Sequence, residues 1–313
     1  MDENERELSV VIPVYNEGEN LNSLYAQLKP VLESLGKAYE IILVDDGSTD
    51  GSFLIMEKLH GQDHNVKVIQ LRRNFGKAAA LLAGFTSAQG KIIITMDADL
   101  QDVPREIPNF IKKLNQGYDL VCGWRFKRQD PVSRTVPSRL FNSLTATLTG
   151  VKVHDFNCGF KAYRKEVIEG LDLYGELHRY IPALAHWKGF KVGEIKVEHH
   201  SRAHGKSKYG VERLFRGLTD LFTVMFLTKY IKKPLHLFGA VGVLLLLMGL
   251  TINIYLAILW FRGQGIGDRP LLLLGVLLML IGFQIISTGL IGEMIVSTRG
   301  KSEKGYVVRK VLE

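Results

Sequence analysis

The strongest chemical signal in the sequence is a pair of carboxylates one residue apart, Asp97 and Asp99, with Gln101 shortly after them. They follow the apolar run 91–96, which has the composition of a buried strand. Buried carboxylates are costly unless they are paired or bind a metal ion. Oxygen ligands suit Mg²⁺ and Mn²⁺, and Mg²⁺ often takes its remaining ligands from a substrate's phosphates. The triplet predicts a nucleoside-diphosphate substrate held through a divalent metal, with a solvated turn as the alternative.

Further polar groups stand where two other predicted strands end. The apolar runs 8–14 and 40–44 are separated by leucines at helical spacing, so strands and helices alternate in this part of the chain. Near-continuous apolar strands joined by helices are typical of an α/β parallel sheet, which binds ligands beyond the carboxyl ends of its strands. The residues that this arrangement places on one rim with Asp97 and Asp99 are Pro13, Tyr15, Asn16, Glu17, Asp45 and Asp46.

Several function classes lack their sequence signals. No G-x-G-x-x-G or G-x-x-x-x-G-K-[ST] follows the first strand, which argues against a dinucleotide oxidoreductase and a P-loop NTPase. The net charge is +8, but no nucleic-acid-binding motif accompanies it, so an anionic membrane surface is the better explanation. Cys122 and Cys158 are expected to be free thiols in a reducing compartment. His199, His200 and His204 have no carboxylates beside them, which favours a polar loop over a transition-metal site.

The C-terminal third has the composition of a membrane anchor. Residues 235–261 and 270–292 are runs of 27 and 23 residues without Asp, Glu, Lys or Arg. At about 1.5 Å per residue, each can span a hydrocarbon core of roughly 30 Å. Residues 211–229 predict an amphipathic helix in the interface, with a core helix of the soluble domain as the alternative. The predicted boundaries are 1–210 for the catalytic domain, 211–230 for the interfacial helix, 231–298 for two transmembrane helices and 299–313 for a basic tail.

Four motifs, in this order, resemble the GT-A glycosyltransferases of family two. They are Val11-Ile-Pro-Val-Tyr-Asn-Glu17, Val44-Asp-Asp-Gly-Ser-Thr-Asp50, Asn74-Phe-Gly-Lys77 and Asp97-Ala-Asp-Leu-Gln101. The chain looks most like the branch that loads a sugar onto a polyprenyl phosphate, which includes dolichyl-phosphate mannose synthase and bacterial bactoprenol glucosyltransferases. The resemblance implies a GT-A fold (Rossmann-like, with a mostly parallel sheet) and a metal-dependent transfer that inverts the anomeric carbon.

The same resemblance implies roles for individual residues. The implied donor-binding residues are Pro13, Tyr15, Glu17, Asp46, Asp97 and Ala98. The implied ligands of Mg²⁺ or Mn²⁺ are Asp97, Asp99 and Gln101. The implied catalytic residues are Arg125 near the donor, Asp155 on the acceptor side, and Arg202 and Lys208 on phosphates of the donor or acceptor.

Asp155 is left with two chemical roles. The resemblance favours a general base. The acceptor is a phosphate monoester with a second pKa of about 6, however, so it is already largely ionised near neutral pH. That ionisation favours a residue that orients a cation or the acceptor, and a helix-capping or salt-bridged aspartate is the structural alternative.

Together these features predict a multi-pass enzyme of the bacterial inner membrane that transfers glucose from UDP-glucose to undecaprenyl phosphate. GDP-mannose and a UDP-aminopentose are alternative donors, because these motifs specify neither base nor sugar. A processive polysaccharide synthase would carry a Q-x-x-R-W motif and more than two spans, and both features are missing from this sequence. A non-catalytic nucleotide-sugar-binding partner of a flippase would not need the metal residues. The resemblance and the paired spans imply a homo-oligomer, and nothing implies a nucleic-acid partner.

The distribution of basic residues predicts the topology. Lysines at 229, 232 and 233 precede the first span and five basic residues follow the second, whereas the loop 262–269 has two. The positive-inside rule therefore places the catalytic domain and both termini in the cytoplasm. We expect Gly265→Cys, in a background without Cys122 and Cys158, to react with an impermeant thiol reagent from outside intact cells. Labelling of a cysteine at either terminus instead would reverse the orientation.

Overall fold

The computed structural model describes residues 6–126, 142–143, 145–147, 149–170, 177–200, 234–267 and 269–299. These residues belong to two compact units, 6–200 in the first and 234–299 in the second. Several predictions fall outside the described residues: the interfacial helix at 211–230, the domain boundaries near 210 and 230, the tail beyond Arg299, and the phosphate-binding roles of Arg202 and Lys208.

The described strands of the first unit form one seven-stranded mixed sheet in the order β3-β2-β1-β4-β6-β5-β7. The strands are β1 (Leu8–Val14), β2 (Tyr39–Asp45), β3 (Val66–Gln70), β4 (Ile92–Thr95), β5 (Leu120–Arg125), β6 (Lys161–Arg164) and β7 (Val192–Val197). β2 and β4 both pair in parallel with β1, β3 pairs in parallel with β2, and β7 with β5. The prediction of an α/β fold with a mostly parallel sheet is confirmed.

Helices connect these strands and cover the sheet. They are α1 (Gly18–Ser34), α2 (Ser52–Gln62), α3 (Lys77–Ser87), α4 (Ile107–Asn115), α5 (Lys165–Glu169) and α6 (Ile181–Trp187), with short 3₁₀ turns at Pro104–Glu106 and Leu177–Tyr180. In α1 the leucines at 21, 24, 28 and 32 are buried, because spacings of three and four put them on one face. In α4 the ring of Phe110 packs on that of Phe160, with 4.5 Å between centroids.

Asp46 fixes the turn in front of α3, which begins at Lys77. The backbone N–H groups of Phe75 and Gly76 donate to the carboxylate of Asp46 at 2.7 and 2.9 Å. Gly76 also has φ of +93°, a conformation outside the helical range that glycine adopts without strain.

β6 is antiparallel to both of its neighbours, β4 and β5. Lys161 lies opposite Thr95 of β4 and also opposite Cys122 of β5. Since β6 runs against β4, β6 begins at the edge of the sheet where β4 ends. The segment that leads into β6 is thereby brought beside the residues that follow β4.

The second unit is a pair of long apolar helices, α7 (Pro234–Phe261) and α8 (Pro270–Arg299). Residues Pro234–Phe261 and Pro270–Ile295 have mean hydropathies of 2.3 and 2.4, and little of either helix is buried. Both helices are long and apolar enough to cross a membrane. A helix in the core of a soluble protein would have most of its apolar side chains buried, whereas most of those in α7 and α8 are exposed.

Glycines allow these two helices to approach closely. A Cβ atom at Gly242 would lie 2.6 Å from the carbonyl oxygen of Gly282, and one at Gly249 would lie 2.5 Å from that of Gly275. The two glycines in each helix are seven residues apart, so they recur on one face. Such small residues let backbones pack together where the lipid supplies no hydrophobic drive.

Candidate active site

A cavity of about 210 Å³ opens at the carboxyl ends of β1, β2 and β4. All six residues predicted to bind the donor line it, together with Asp99. Its complete lining is Pro13, Val14, Tyr15, Glu17, Asp46, Asn74, Gly76, Lys77, Ala80, Asp97, Ala98 and Asp99. The parallel strands thus bring together, at one rim, residues as far apart in the sequence as Pro13 and Asp99.

Asp46 shapes one wall of this cavity. Its two carboxylate oxygens accept the N–H groups of Phe75 and Gly76, which fixes the turn in front of α3. Burial is the largest influence on the pKa of Asp46 and raises it above its usual value, while the two N–H bonds act in the opposite direction. The turn that Asp46 holds places Lys77 at the start of α3, where its ammonium group reaches the carboxylate of Asp97.

Asp97 lies among positive charges. One of its oxygens accepts a hydrogen bond from the ammonium group of Lys77. Burial raises the pKa of Asp97, but the charges of Lys77, Arg125 and Lys161 outweigh it, so the pKa is below its usual value. Asp97 is therefore a carboxylate that stays ionised in a partly buried position, ready to share a cation.

The backbone of Gly159 lies directly against the carboxylate of Asp97. A Cβ atom at Gly159 would be 2.7 Å from both carboxylate oxygens, closer than real Cβ contacts. Gly159 belongs to the segment that leads into β6, and its carbonyl oxygen accepts a bond of 2.7 Å from the Thr95 hydroxyl of β4. Only a residue without a side chain allows this segment to approach the metal-site candidate so closely.

The residues after Asp97 form a strained turn. Leu100 has φ of +61°, which is uncommon for a residue other than glycine and is typically retained near functional sites. The turn lets the N–H of Gln101 donate to Asp99 at 3.2 Å. Asp102 accepts the N–H of Asp97, and burial together with the charge of Asp97 raises its pKa to about 7.

The donor set of this rim fits a hard divalent cation. The cavity lining contains carboxylate oxygens from Asp97 and Asp99 but no sulfur or imidazole group. Gln101, the third predicted ligand, is not part of the lining, and its amide nitrogen donates to the carbonyl oxygen of His200 at 3.2 Å. Among the described residues, no group of three or more His, Cys, Asp or Glu side chains is arranged to hold a metal ion.

Arg125 and Asp155 form a bidentate ion pair at the same edge of the sheet. Nε and Nη2 of Arg125 donate to the two carboxylate oxygens of Asp155 at 2.7 and 3.1 Å. The side chains are 17% and 3% exposed. The pair raises the pKa of Arg125 although burial opposes it. The sequence placed these residues on the donor and acceptor sides separately, whereas the structure joins them.

The structure also places at this rim residues to which the sequence assigned no role. Lys77 was part of a recognised motif, so its type and position were a usable signal. Gly159 and the buried Lys161, whose ammonium donates to the carbonyl oxygen of Cys158, had no signal of their own. Their position depends on the antiparallel pairing of β6.

Comparison with known proteins identifies the family. The sequence profile of glycosyl transferase family 2 matches residues 9–171. The chain belongs to this family. Dodecaprenyl-phosphate galacturonate synthase of Rhizobium johnstonii is 40% identical to this family 2 chain. The alignment covers 98% of this chain and 93% of the relative. Undecaprenyl-phosphate 4-deoxy-4-formamido-L-arabinose transferase of Pseudomonas aeruginosa is 40% identical over 91% of this chain and 84% of the relative.

A solved structure of similar fold agrees with the sheet described above. Glucosyl-3-phosphoglycerate synthase of Mycobacterium tuberculosis, crystallised with Mn²⁺, UDP and glucosyl-3-phosphoglycerate, superposes with a TM-score of 0.55 at 20% identity. The match covers 71% of this chain and 79% of that one. The predicted GT-A fold is confirmed by this likeness, which at this identity concerns the fold alone.

Gly159→Ala tests the packing against Asp97 in this glycosyl transferase. Overpacking of this kind costs about 1 to 3 kcal/mol. If the cost falls on the Asp97 carboxylate, the affinity for Mn²⁺ with a nucleoside diphosphate should fall roughly 10-fold or more. Titration calorimetry measures this.

The control is Gly61→Ala in α2, where a Cβ atom meets nothing within 4 Å. There alanine should leave the affinity for Mn²⁺ unchanged. Unchanged affinity in a folded Gly159→Ala protein would contradict the assigned contact.

Proposed function

We propose that this family 2 protein transfers a sugar from a nucleotide-sugar to the phosphate of a polyprenyl lipid. The observation that carries the proposal is the alignment along nearly the whole chain with relatives named for dodecaprenyl phosphate and undecaprenyl phosphate. The alignment includes α7 and α8, whose apolar surfaces suit a membrane. The substrate is then a lipid phosphate at the membrane surface.

The rim of the sheet supplies groups suited to this reaction. In an inverting transfer, an oxygen of the lipid phosphate forms a bond to the anomeric carbon while the bond to the donor's diphosphate breaks. Charge develops on the departing nucleoside diphosphate, and stabilising such charge is usually the largest catalytic contribution. Lys77 lies where its ammonium can move from Asp97 to a phosphate oxygen, and Arg125 can bind a phosphate through two N–H groups.

Asp97 and Asp99 are the proposed ligands of a divalent metal, with Gln101 nearby. A bound Mg²⁺ or Mn²⁺ would neutralise charge on the leaving diphosphate. The support is the carboxylate lining of the cavity and the Mn²⁺ named in the structure of the mycobacterial synthase. Pro13, Tyr15, Glu17, Asp46 and Ala98 are proposed to contact the donor, since they line the same cavity.

Asp155 is proposed to orient Arg125 rather than to accept a proton. Both of its oxygens are bonded to the guanidinium, and it is almost completely buried. A carboxylate bonded in this way serves to fix the orientation of the guanidinium. The acceptor phosphate, already ionised near neutral pH, needs no base of its own.

The identity of the sugar is the finer part of the proposal. UDP-glucose is the donor that the sequence predicts. A uronate or an aminopentose donor has comparable support, because the two relatives are named for galacturonate and for formamido-arabinose. We further propose that the enzyme resides in the bacterial inner membrane, with the catalytic domain and both termini in the cytoplasm, and that it self-associates.

A donor screen tests the function. The purified full-length protein is reconstituted in vesicles that contain undecaprenyl phosphate. Each sample receives one donor: UDP-glucose, UDP-galacturonate, UDP-4-deoxy-4-formamido-L-arabinose or GDP-mannose. Mass spectrometry then determines the mass of the lipid product. We expect one donor to give a phosphate-linked sugar lipid. Donor binding without lipid product from any of the four would favour the non-catalytic binding partner instead.

Removal of one metal-ligand charge is the sharpest test of the metal proposal. Asp99→Asn keeps the shape of the side chain, and we expect transfer to fall by about 100-fold or more, as on losing a key charge-stabilising group. Excess EDTA should abolish the wild-type activity.

Asp119→Asn, the same change just before β5 at the opposite edge of the sheet, is the matched control and should retain activity. Turnover by Asp99→Asn close to that of wild type, or full activity in EDTA, would refute the metal role.

A further inference from the structure

The ion pair of Arg125 and Asp155 depends on a segment that has no regular structure of its own. Arg125 is the last residue of β5, so the sheet fixes its backbone. Asp155 lies in 151–155, where the chain is neither helix nor strand. Something other than secondary structure must hold Asp155 in register with the guanidinium.

Glu194 of β7 makes the contacts that hold this segment. Its Oε1 accepts the backbone N–H of His154 at 2.8 Å and that of Asp155 at 3.3 Å. Its Oε2 lies 2.7 Å from Nδ1 of His154. One carboxylate therefore binds two consecutive backbone amides and the intervening side chain, and it does so from a position only 11% exposed.

The neighbouring strand completes the clamp. The indole of Trp124 stacks on the imidazole of His154, with 4.1 Å between centroids and 11° between planes. Trp124 immediately precedes Arg125 in β5, and Glu194 lies opposite Cys122 in the parallel pairing of β5 with β7. Two neighbouring strands thus position both members of the ion pair. Arg125 is part of β5, and Asp155 is held by Glu194 of β7.

We propose that Glu194 is a positioning residue for the transfer reaction, acting through Asp155 on the guanidinium of Arg125. This inference rests on the proposed function. A guanidinium has five N–H donors, and the two bonds to Asp155 use two of them, so the carboxylate sets the plane in which the group meets a phosphate. Misplacing a reacting group by about 1 Å can cost roughly 100-fold in rate.

The contacts of Glu194 predict a difference between two substitutions. Glu194→Gln keeps an oxygen that can accept both backbone N–H groups, whereas Glu194→Ala leaves them without that acceptor. We expect kcat of Glu194→Ala to fall by about 30-fold or more, with KM for the nucleotide-sugar within about 3-fold of wild type. Glu194→Gln should recover most of the lost kcat. The matched control is Glu169→Ala, an exposed glutamate of α5, which should behave as wild type.

A double-mutant cycle separates positioning from general support of the fold. If Glu194 acts only through Asp155, then Asp155→Asn combined with Glu194→Ala should be no slower than Asp155→Asn alone, because the effects of residues that act as a unit are not additive.

Radiolabelled donor keeps slow turnover measurable, and the melting temperature and nucleotide affinity of each variant report on folding. If Glu194→Ala does not fold, His154→Ala takes its place in the cycle with a smaller loss expected. It removes the imidazole's contacts with Glu194 and Trp124 and keeps both backbone N–H bonds to Glu194.

Independent, multiplying losses in the double variant would overturn the inference, as would Glu194→Gln being as slow as Glu194→Ala. Wild-type kcat in Glu194→Ala would overturn it as well. These failures differ from a failure of the proposed function, in which the wild-type protein itself transfers no sugar to undecaprenyl phosphate in the same assay.

Discussion

The antiparallel pairing of β6 between β4 and β5 is the constraint on which the rest of the site depends. Because β6 runs against both neighbours, the segment before it arrives at the rim where they end. Asp155 meets Arg125 there, and Gly159 lies against Asp97. A fully parallel sheet would place the start of this strand at the opposite edge, away from the carboxylates. One reversal of strand direction thus joins the proposed donor and acceptor sides.

The charges at this rim are arranged in opposed pairs. Lys77 is bonded to Asp97, and Arg125 is bonded to Asp155. Isolated ions would be costly in these partly buried positions, so each pair keeps its members charged before any substrate arrives. Nucleotide-sugars and lipid phosphates bring negative charge, and a divalent cation brings positive charge. We infer that Lys77 exchanges Asp97 for a phosphate oxygen when cation and donor bind, whereas Arg125 stays bonded to Asp155, so little reorganisation is needed at the moment of transfer.

Most of the first half of the sheet could be predicted from the sequence, and the second half could not. β1, β2 and β4 are mostly apolar runs, and the carboxylates at or just after their ends are visible in the sequence. β6 is four residues long and contains Lys161 and Arg164, so it lacks the pattern of a buried strand. Its pairing also joins Thr95 to a residue 66 positions later. Gly159 and Glu194 owe their positions to such long-range pairing, which no local pattern reveals.

We propose that the donor's diphosphate binds at the rim of Asp97 and Asp99 through a divalent metal. The most direct measurement is anomalous diffraction from crystals of the full-length protein grown with Mn²⁺ and the nucleoside diphosphate of its donor. We expect one manganese peak at the rim beside Asp97 and Asp99 and next to the diphosphate, with the Lys77 ammonium displaced from Asp97. A diphosphate bound in this cavity without manganese, or a manganese ion held elsewhere in the chain, would contradict it.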